Sequence, residues 1–277
     1  MDKKPIRLLA LDLDGTVFTN EKTITSATQK AIALAIEKGV IVIPTTGRPL
    51  NGLPQEFLEM PGVEYALTSN GAAIWQLKDR KKMVDLPLTT ENTLRAMDLM
   101  QPYDCMVDVY LDGKVYASPQ SLKNAERFAP PQMLEYVKKT RTPVENLRDW
   151  IAKNQYCAEK VTMFFCDPAE QQQAMMAAKQ QTWLEPSTSV PKNLELNAAG
   201  VDKGMGLRKL AEYFGIDLSQ VMACGDGGND IAMLQTAGLG VAMANATTEV
   251  KQVADVITAS NQEDGVAKAI EQYILSV

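Results

Sequence analysis

Two short acidic segments carry the residue types that could do chemistry in this chain. In the first, Asp12-Leu13-Asp14-Gly15-Thr16 follows the apolar run from Ile6 to Leu11. A nearly continuous apolar run of strand length marks a strand buried on both faces of a parallel sheet, and such sheets meet ligands at the carboxyl ends of their strands. Alternation points Asp12 and Asp14 the same way, with Gly15 free to turn the backbone sharply. Two carboxylates so close are costly unless a cation or a proton separates them, so the pair asks for a divalent metal or for divergent pKa values. The plainer alternative is turn and cap chemistry, against which the buried strand weighs.

In the second segment, Gly225-Asp226-Gly227-Gly228-Asn229-Asp230 follows the apolar strand Val221 to Cys224. The glycines let backbone N–H groups approach an anion, and the Asp and Asn oxygens suit a hard cation such as Mg2+. Asn229 or Asp230 could instead cap the helix that continues from Ile231, an alternative that stays open for Asp230 and is weak for Asp226. Two more segments would complete a phosphate site. Val40 to Ile43 runs into Pro44-Thr45-Thr46-Gly47-Arg48-Pro49, where a hydroxyl and free backbone N–H groups could hold a phosphate oxygen. Lys203 opens a helix after Gly200-Val201-Asp202 and is a point charge able to neutralise a transferring group. Taken singly, such a turn or such a lysine is more often scaffold or solvated surface.

The 277 residues include no histidine, so every mechanism that needs an imidazole base and every His-ligated metal site is excluded. Carboxylates, lysine, threonine and backbone groups are left to do the work. A net charge of -6 without a long basic run disfavours a nucleic-acid partner. No stretch is apolar long enough to span a bilayer. The four cysteines show no close pairing, and the N-terminus runs straight into a short strand without a signal-peptide pattern, so reduced thiols and a cytoplasmic location are expected.

The elements that must position these residues alternate between strand and helix at both ends of the chain. Ser26 with Gln29 reads as a capping box, and Gly39 and Gly215 as helix stops. Leu194 to Leu196 reads as a short strand of the second core part, and Val266, Ile270 and Ile274 fall on one face of a last helix. Between Leu86 and Pro191 the order changes to a mixture of short strands and helices flanked by polar and Pro residues. The expected fold is α/β: a Rossmann-like, doubly wound parallel-sheet core (residues 1–86 and 191–277) with an inserted α+β cap domain (87–190). Six cap aromatics, Tyr103, Tyr110, Tyr116, Trp150, Tyr156 and Trp183, are expected mostly in core packing.

In order and spacing, Asp12-Leu13-Asp14-Gly15-Thr16, Thr46-Gly47-Arg48-Pro49, Ser69-Asn70-Gly71-Ala72, Lys203-Gly204 and Gly225-Asp226 with Asn229-Asp230 resemble the haloacid dehalogenase superfamily. The narrower resemblance is to its Cof-type phosphatases with a large cap. It implies Mg2+-dependent hydrolysis of a small phosphorylated metabolite, a sugar phosphate, nucleotide or phosphorylated cofactor, through a phospho-aspartyl intermediate. By that resemblance Asp12 is the nucleophile and a metal ligand, and Asp14 is the acid–base group, lending its carbonyl to the metal. Asp226 completes the ligands and Asp230 supports them from behind. Leu13, Thr46, Gly47, Lys203 and Asn229 hold the phosphate. Gly228 and Asp202 depart mildly from the pattern; Asp202 could soften the pull of Lys203. A phosphotransferase or mutase, and a non-catalytic phosphometabolite-binding regulator, are the competing readings. The oligomeric state is not legible.

Overall fold

The structure, a computed structural model, describes residues 4–276; the first three residues of the N-terminal segment read above lie outside the described residues. Its strands, in chain order, begin with β1 (Leu8–Leu11), β2 (Ile41–Pro44), β3 (Tyr65–Thr68), β4 (Ala73–Gln76) and β5 (Lys81–Asp85). Next come β6 (Cys105–Leu111), β7 (Lys114–Ala117), β8 (Arg141–Pro143), β9 (Lys160–Phe165), β10 (Leu184–Ser187) and β11 (Asn193–Ala198). The last are β12 (Val221–Gly225), β13 (Leu239–Ala242) and β14 (Val256–Ile257). The chain divides into two compact units. One ends its first segment at Gly47, takes in Leu53–Val84 and resumes at Asp202; the other consists of Arg48–Gly52 and Asp85–Val201.

The first unit is built on a sheet of order β14-β13-β12-β1-β2 with all of its pairs parallel. β1 and β12 are buried along their whole length, as their apolar runs require of strands covered on both faces. Strand order reverses direction at β1: the chain moves outward to β2 on one side and returns to β12 on the other. Such a switch point opens a crevice at the carboxyl ends. β3 is not a further strand of that parallel sheet. It belongs to a separate sheet of order β3-β4-β5, and a single parallel bridge, Thr45 to Leu67, links it to the chain after β2.

The helix Ser26–Glu37 is capped by Thr25, whose side chain accepts from the Thr28 N–H, so its cap lies one residue before the expected Ser26. Gly39 and Gly215 take the left-handed conformations expected of helix stops. Val266, Ile270 and Ile274 are buried together, as their helical spacing demands.

The second unit holds a sheet of order β10-β11-β9-β6-β7-β8. One face carries Val109, Leu111, Val161, Met163, Phe165, Leu194 and Leu196 into an apolar core. Tyr103, Tyr116, Trp150 and Trp183 pack against that core, in keeping with the packing role expected of them. Alternation sends Asp108, Lys160 and Glu195 to the opposite face, where Asp108 pairs with Arg141 at 2.8 Å and Lys160 with Glu195 at 2.9 Å. Leu194 to Leu196 corrects the expected division: it lies within β11, paired antiparallel with β9 and β10, and the first unit resumes only at Asp202. An alternating apolar strand next to a Pro-containing linker does not reveal which sheet it will join.

Candidate active site

Strand register assembles the site. Leu11, the last residue of β1, lies opposite Pro44, the last of β2, and opposite Cys224, one residue before the end of β12. Asp12, the Gly225-Asp226 loop and the Thr45-Thr46 turn therefore leave the sheet side by side. The Asp12 N–H donates to the Cys224 carbonyl and the Thr45 N–H to the Leu11 carbonyl, extending the ladder one residue past β1 on each side. Beyond it the chain folds back, with the Thr16 and Phe18 N–H groups both donating to the Leu13 carbonyl. Gly15 makes the turn at φ +89°, and a Cβ there would collide with the Asp226 carboxylate. No other residue allows both the conformation and the approach.

Asp12, Asp226 and Asp230 each bring a carboxylate oxygen within 4.8 Å of the others. The fully buried Lys203 ammonium donates to Asp12 Oδ1 and to Asp230 Oδ1, each at 2.6 Å. Asp230 Oδ2 also accepts the Asp226 and Gly227 N–H groups at 2.9 Å, so its carboxylate reaches back over the loop instead of capping the helix ahead of it. Asp226 Oδ1 accepts from the Thr16 hydroxyl at 2.9 Å.

Three carboxylates thus face one ammonium. Burial, then the Asp230 charge, pushes the Asp12 carboxyl well above the usual range, with Lys203 pulling the other way. The same two causes push Asp226 up to about 7. Burial works against the Lys203 ammonium, yet Asp12 and Asp230 outweigh it and hold its pKa above the ordinary lysine value. A set of hard oxygen donors with a surplus of negative charge fits a divalent cation such as Mg2+.

The Asp14 side chain parts from Asp12. Its carboxylate pairs with Lys22 at 2.8 Å where both side chains are partly exposed, so three of the four expected acids converge and the fourth is held outside the cluster. A partly exposed pair of this kind is worth about 0–1 kcal/mol and is easily exchanged. Thr46 is buried, but its N–H is taken by the Leu67 carbonyl at 2.9 Å, which corrects the expectation of a free amide there. The half-buried Gly47 follows it. Arg48, the cation that follows Gly47, donates to the Gly52 carbonyl and lies over the Tyr136 ring. Asp202 does not oppose Lys203 as a loose charge: its carboxylate caps the helix Lys203–Phe214 by accepting the Met205 N–H at 2.7 Å.

Sequence reasoning assigned no role to Thr16, Lys22 or Asn70. Asn70 lies in a left-handed turn, accepts from Asn229 Nδ2 at 3.1 Å and donates its N–H to the Thr46 carbonyl. Farther out, Asn245 Nδ2 donates to the Gly15 carbonyl and Asn261 Nδ2 to the Phe18 carbonyl, both at 2.8 Å, pinning the 14–18 turn. For Asn70 the signals were its place in the Ser69-Asn70-Gly71-Ala72 segment that shares the family resemblance and the turn preference of Asn beside Gly.

Residues 9–270 match the haloacid dehalogenase-like hydrolase family. The chain belongs to that family. This haloacid dehalogenase-like hydrolase is 32% identical, over 98% of its length and 96% of the relative's, to the 5-amino-6-(5-phospho-D-ribitylamino)uracil phosphatase YcsE of Bacillus subtilis. It is 27% identical to the pyridoxal phosphate phosphatase YbhA of Escherichia coli, over 97% of its length and 99% of the relative's. Among solved structures it resembles the subclass IIB sugar phosphatase BT4131 with a TM-score of 0.80 and 25% identity, covering 96% of this chain and 98% of that one. The haloacid dehalogenase-like hydrolase is accordingly a phosphatase. Its four cysteines are free, and burial pushes the Cys224 thiol up to about 12. No described helix is long and apolar enough to cross a membrane.

Proposed function

We propose that this phosphatase hydrolyses a small phosphomonoester metabolite by way of a phospho-aspartyl intermediate on Asp12, with Mg2+ as cofactor. The observation that carries the reading is the convergence of the Asp12, Asp226 and Asp230 carboxylates at the carboxyl ends of β1 and β12, with Lys203 bonded to Asp12 and Asp230. Asp12, Asp226 and the Asp14 carbonyl would hold the cation, which supplies the positive charge that lets a phosphate dianion approach so acidic a crevice. An ionised Asp12 needs no base to attack phosphorus, and the bond to the ester oxygen breaks as the new one forms. Asp14, released from Lys22 and having taken a proton from solvent, gives that proton to the departing oxygen. It then takes a proton from water, whose oxygen attacks the phospho-aspartate, and inorganic phosphate leaves with the Asp12 carboxylate restored.

Lys203, the Thr46 hydroxyl, the Leu13 and Gly47 amides and Asn229 would hold the phosphate oxygens and neutralise their charge. The named relatives act on a phosphoribityl compound and on pyridoxal phosphate, both small phosphomonoesters. That supports the same substrate class here. The test is phosphate release from a panel of sugar phosphates, nucleotides and phosphorylated cofactors, with Mg2+ and then with EDTA. Release that needs Mg2+ is expected; release undiminished by EDTA would rule out the cofactor assignment.

A further inference from the structure

Ser69, Asn70 and Gly71 form three consecutive residues in the left-handed region, at φ 51°, 58° and 97°. Left-handed backbone is uncommon for residues other than glycine, and a run of it persists only where its surroundings over-determine it. Here the turn joins β3 to β4, and all three residues are buried. A β-hairpin needs no buried amide to close it. This one nevertheless makes connections far along the chain. Asn70 donates its N–H to the Thr46 carbonyl at 3.1 Å and accepts from Asn229 Nδ2 through its own Oδ1 at 3.1 Å. Gly71 backs onto the start of the helix Lys203–Phe214 so closely that a Cβ on it would collide with the Asp202 carbonyl oxygen.

The turn therefore touches three segments that supply phosphate-holding groups: the end of β2, the loop after β12 and the residue ahead of Lys203. We infer that Asn70 is a positioning residue for phosphate binding, acting through Asn229. The inference rests on the phosphate-site reading given under Proposed function. Its chemistry is simple. An amide nitrogen carries two hydrogens, and by accepting one of them Asn70 fixes the plane in which the other points. Left unheld, the Asn229 amide would rotate, and ordering it would be charged against phosphate binding. The left-handed backbone is what allows one residue to hold the Thr46 carbonyl and the Asn229 side chain at once.

The experiment is a double-mutant cycle of Asn70→Gly and Asn229→Ala, assayed with Mg2+ present for kcat, KM, inhibition by inorganic phosphate and melting temperature. Glycine tolerates the left-handed conformation, so Asn70→Gly should keep the turn and the melting temperature while removing the side-chain acceptor. The expected result is a rise of about tenfold in KM and in the phosphate inhibition constant with little change in kcat, the signature of lost uniform binding. In the Asn229→Ala background the same change should add nothing. Full additivity of the two, an unchanged inhibition constant in Asn70→Gly, or a lower melting temperature with KM intact would overturn the inference. Asn229→Ala with wild-type phosphate affinity would instead remove Asn229 from the phosphate site and the inference with it, a result distinct from a failure of Asn70 alone.

Discussion

Asp12 and Lys203 are 191 positions apart in sequence and 2.6 Å apart in space, both buried. The Lys203 ammonium orients the carboxylate proposed to attack phosphorus without removing its charge. Asp12→Asn keeps an oxygen that can accept from Lys203 and relieves repulsion within the cluster, so the fold should survive. Turnover should fall at least ~10³-fold, since a nucleophile has no substitute. Steady-state rates beside a melting curve check both halves. Asp14 demands a subtler measurement because its carboxylate rests on Lys22. Protonating the departing oxygen matters for a basic alkoxide and little for an acidic phenol. Asp14→Asn should therefore slow a sugar phosphate by about 10²–10⁴-fold and p-nitrophenyl phosphate far less in the first step. Because the same carboxyl is proposed to activate water, the variant should give a burst of p-nitrophenol and then a slow phase in quenched flow. Equal losses without a burst would reduce Asp14 to a support for the cation.

At the scale of elements, the placement of Lys203 depends on the first turn of its helix. Asp202 satisfies the Met205 N–H there, one of the donors a helix start leaves without an intrahelical partner. Asp202→Ala should lower stability by about 1 kcal/mol, while Asp202→Asn, whose oxygen can also cap, should restore most of it. Urea unfolding distinguishes the two. A carboxylate that merely opposed Lys203 would predict the reverse, with both variants improving phosphate affinity and neither losing stability. The 14–18 turn is a second such element. Its hydrogen bonds from Asn245 and Asn261 fix the backbone that carries Asp14.

The molecule as a whole tolerates an acidic cluster whose charge does not balance. Asp226 is raised from 3.8 to about 7, so the folded, metal-free protein holds a proton that the unfolded chain has released over that interval. Stability from this group is therefore lost as pH rises from about 4 to 7 and does not return above it. Asp226→Asn removes the titration. In EDTA the melting temperature of the variant should gain on that of the wild type as pH is raised from 5 to 8. Added Mg2+ should stabilise the wild type more at pH 8 than at pH 5, and the variant less at either. A wild-type advantage that grows with pH in EDTA would contradict the cluster's electrostatics.

Much of this protein was legible in residue order because the signals are local. Apolar runs of strand length gave β1, β2 and β12, and a strand buried on both faces has to be apolar wherever it lies. Acidic and glycine residues just past those runs marked the crevice, since the carboxyl ends of parallel strands are where such residues leave the sheet. What only the tertiary structure decided depends on partners remote in sequence. Strand 193–198 has the same alternation whichever sheet it joins, and pairing with β9 and β10 placed it in the second unit. The Thr46 N–H looked free until Leu67 was brought beside it. Asp12 and Asp14 share a direction on an ideal strand, yet the ladder ends at Asp12, and the fold-back at Gly15 turns Asp14 toward Lys22. Periodicity states which way a side chain points only while the backbone repeats, and the chemistry here begins where the repeat stops.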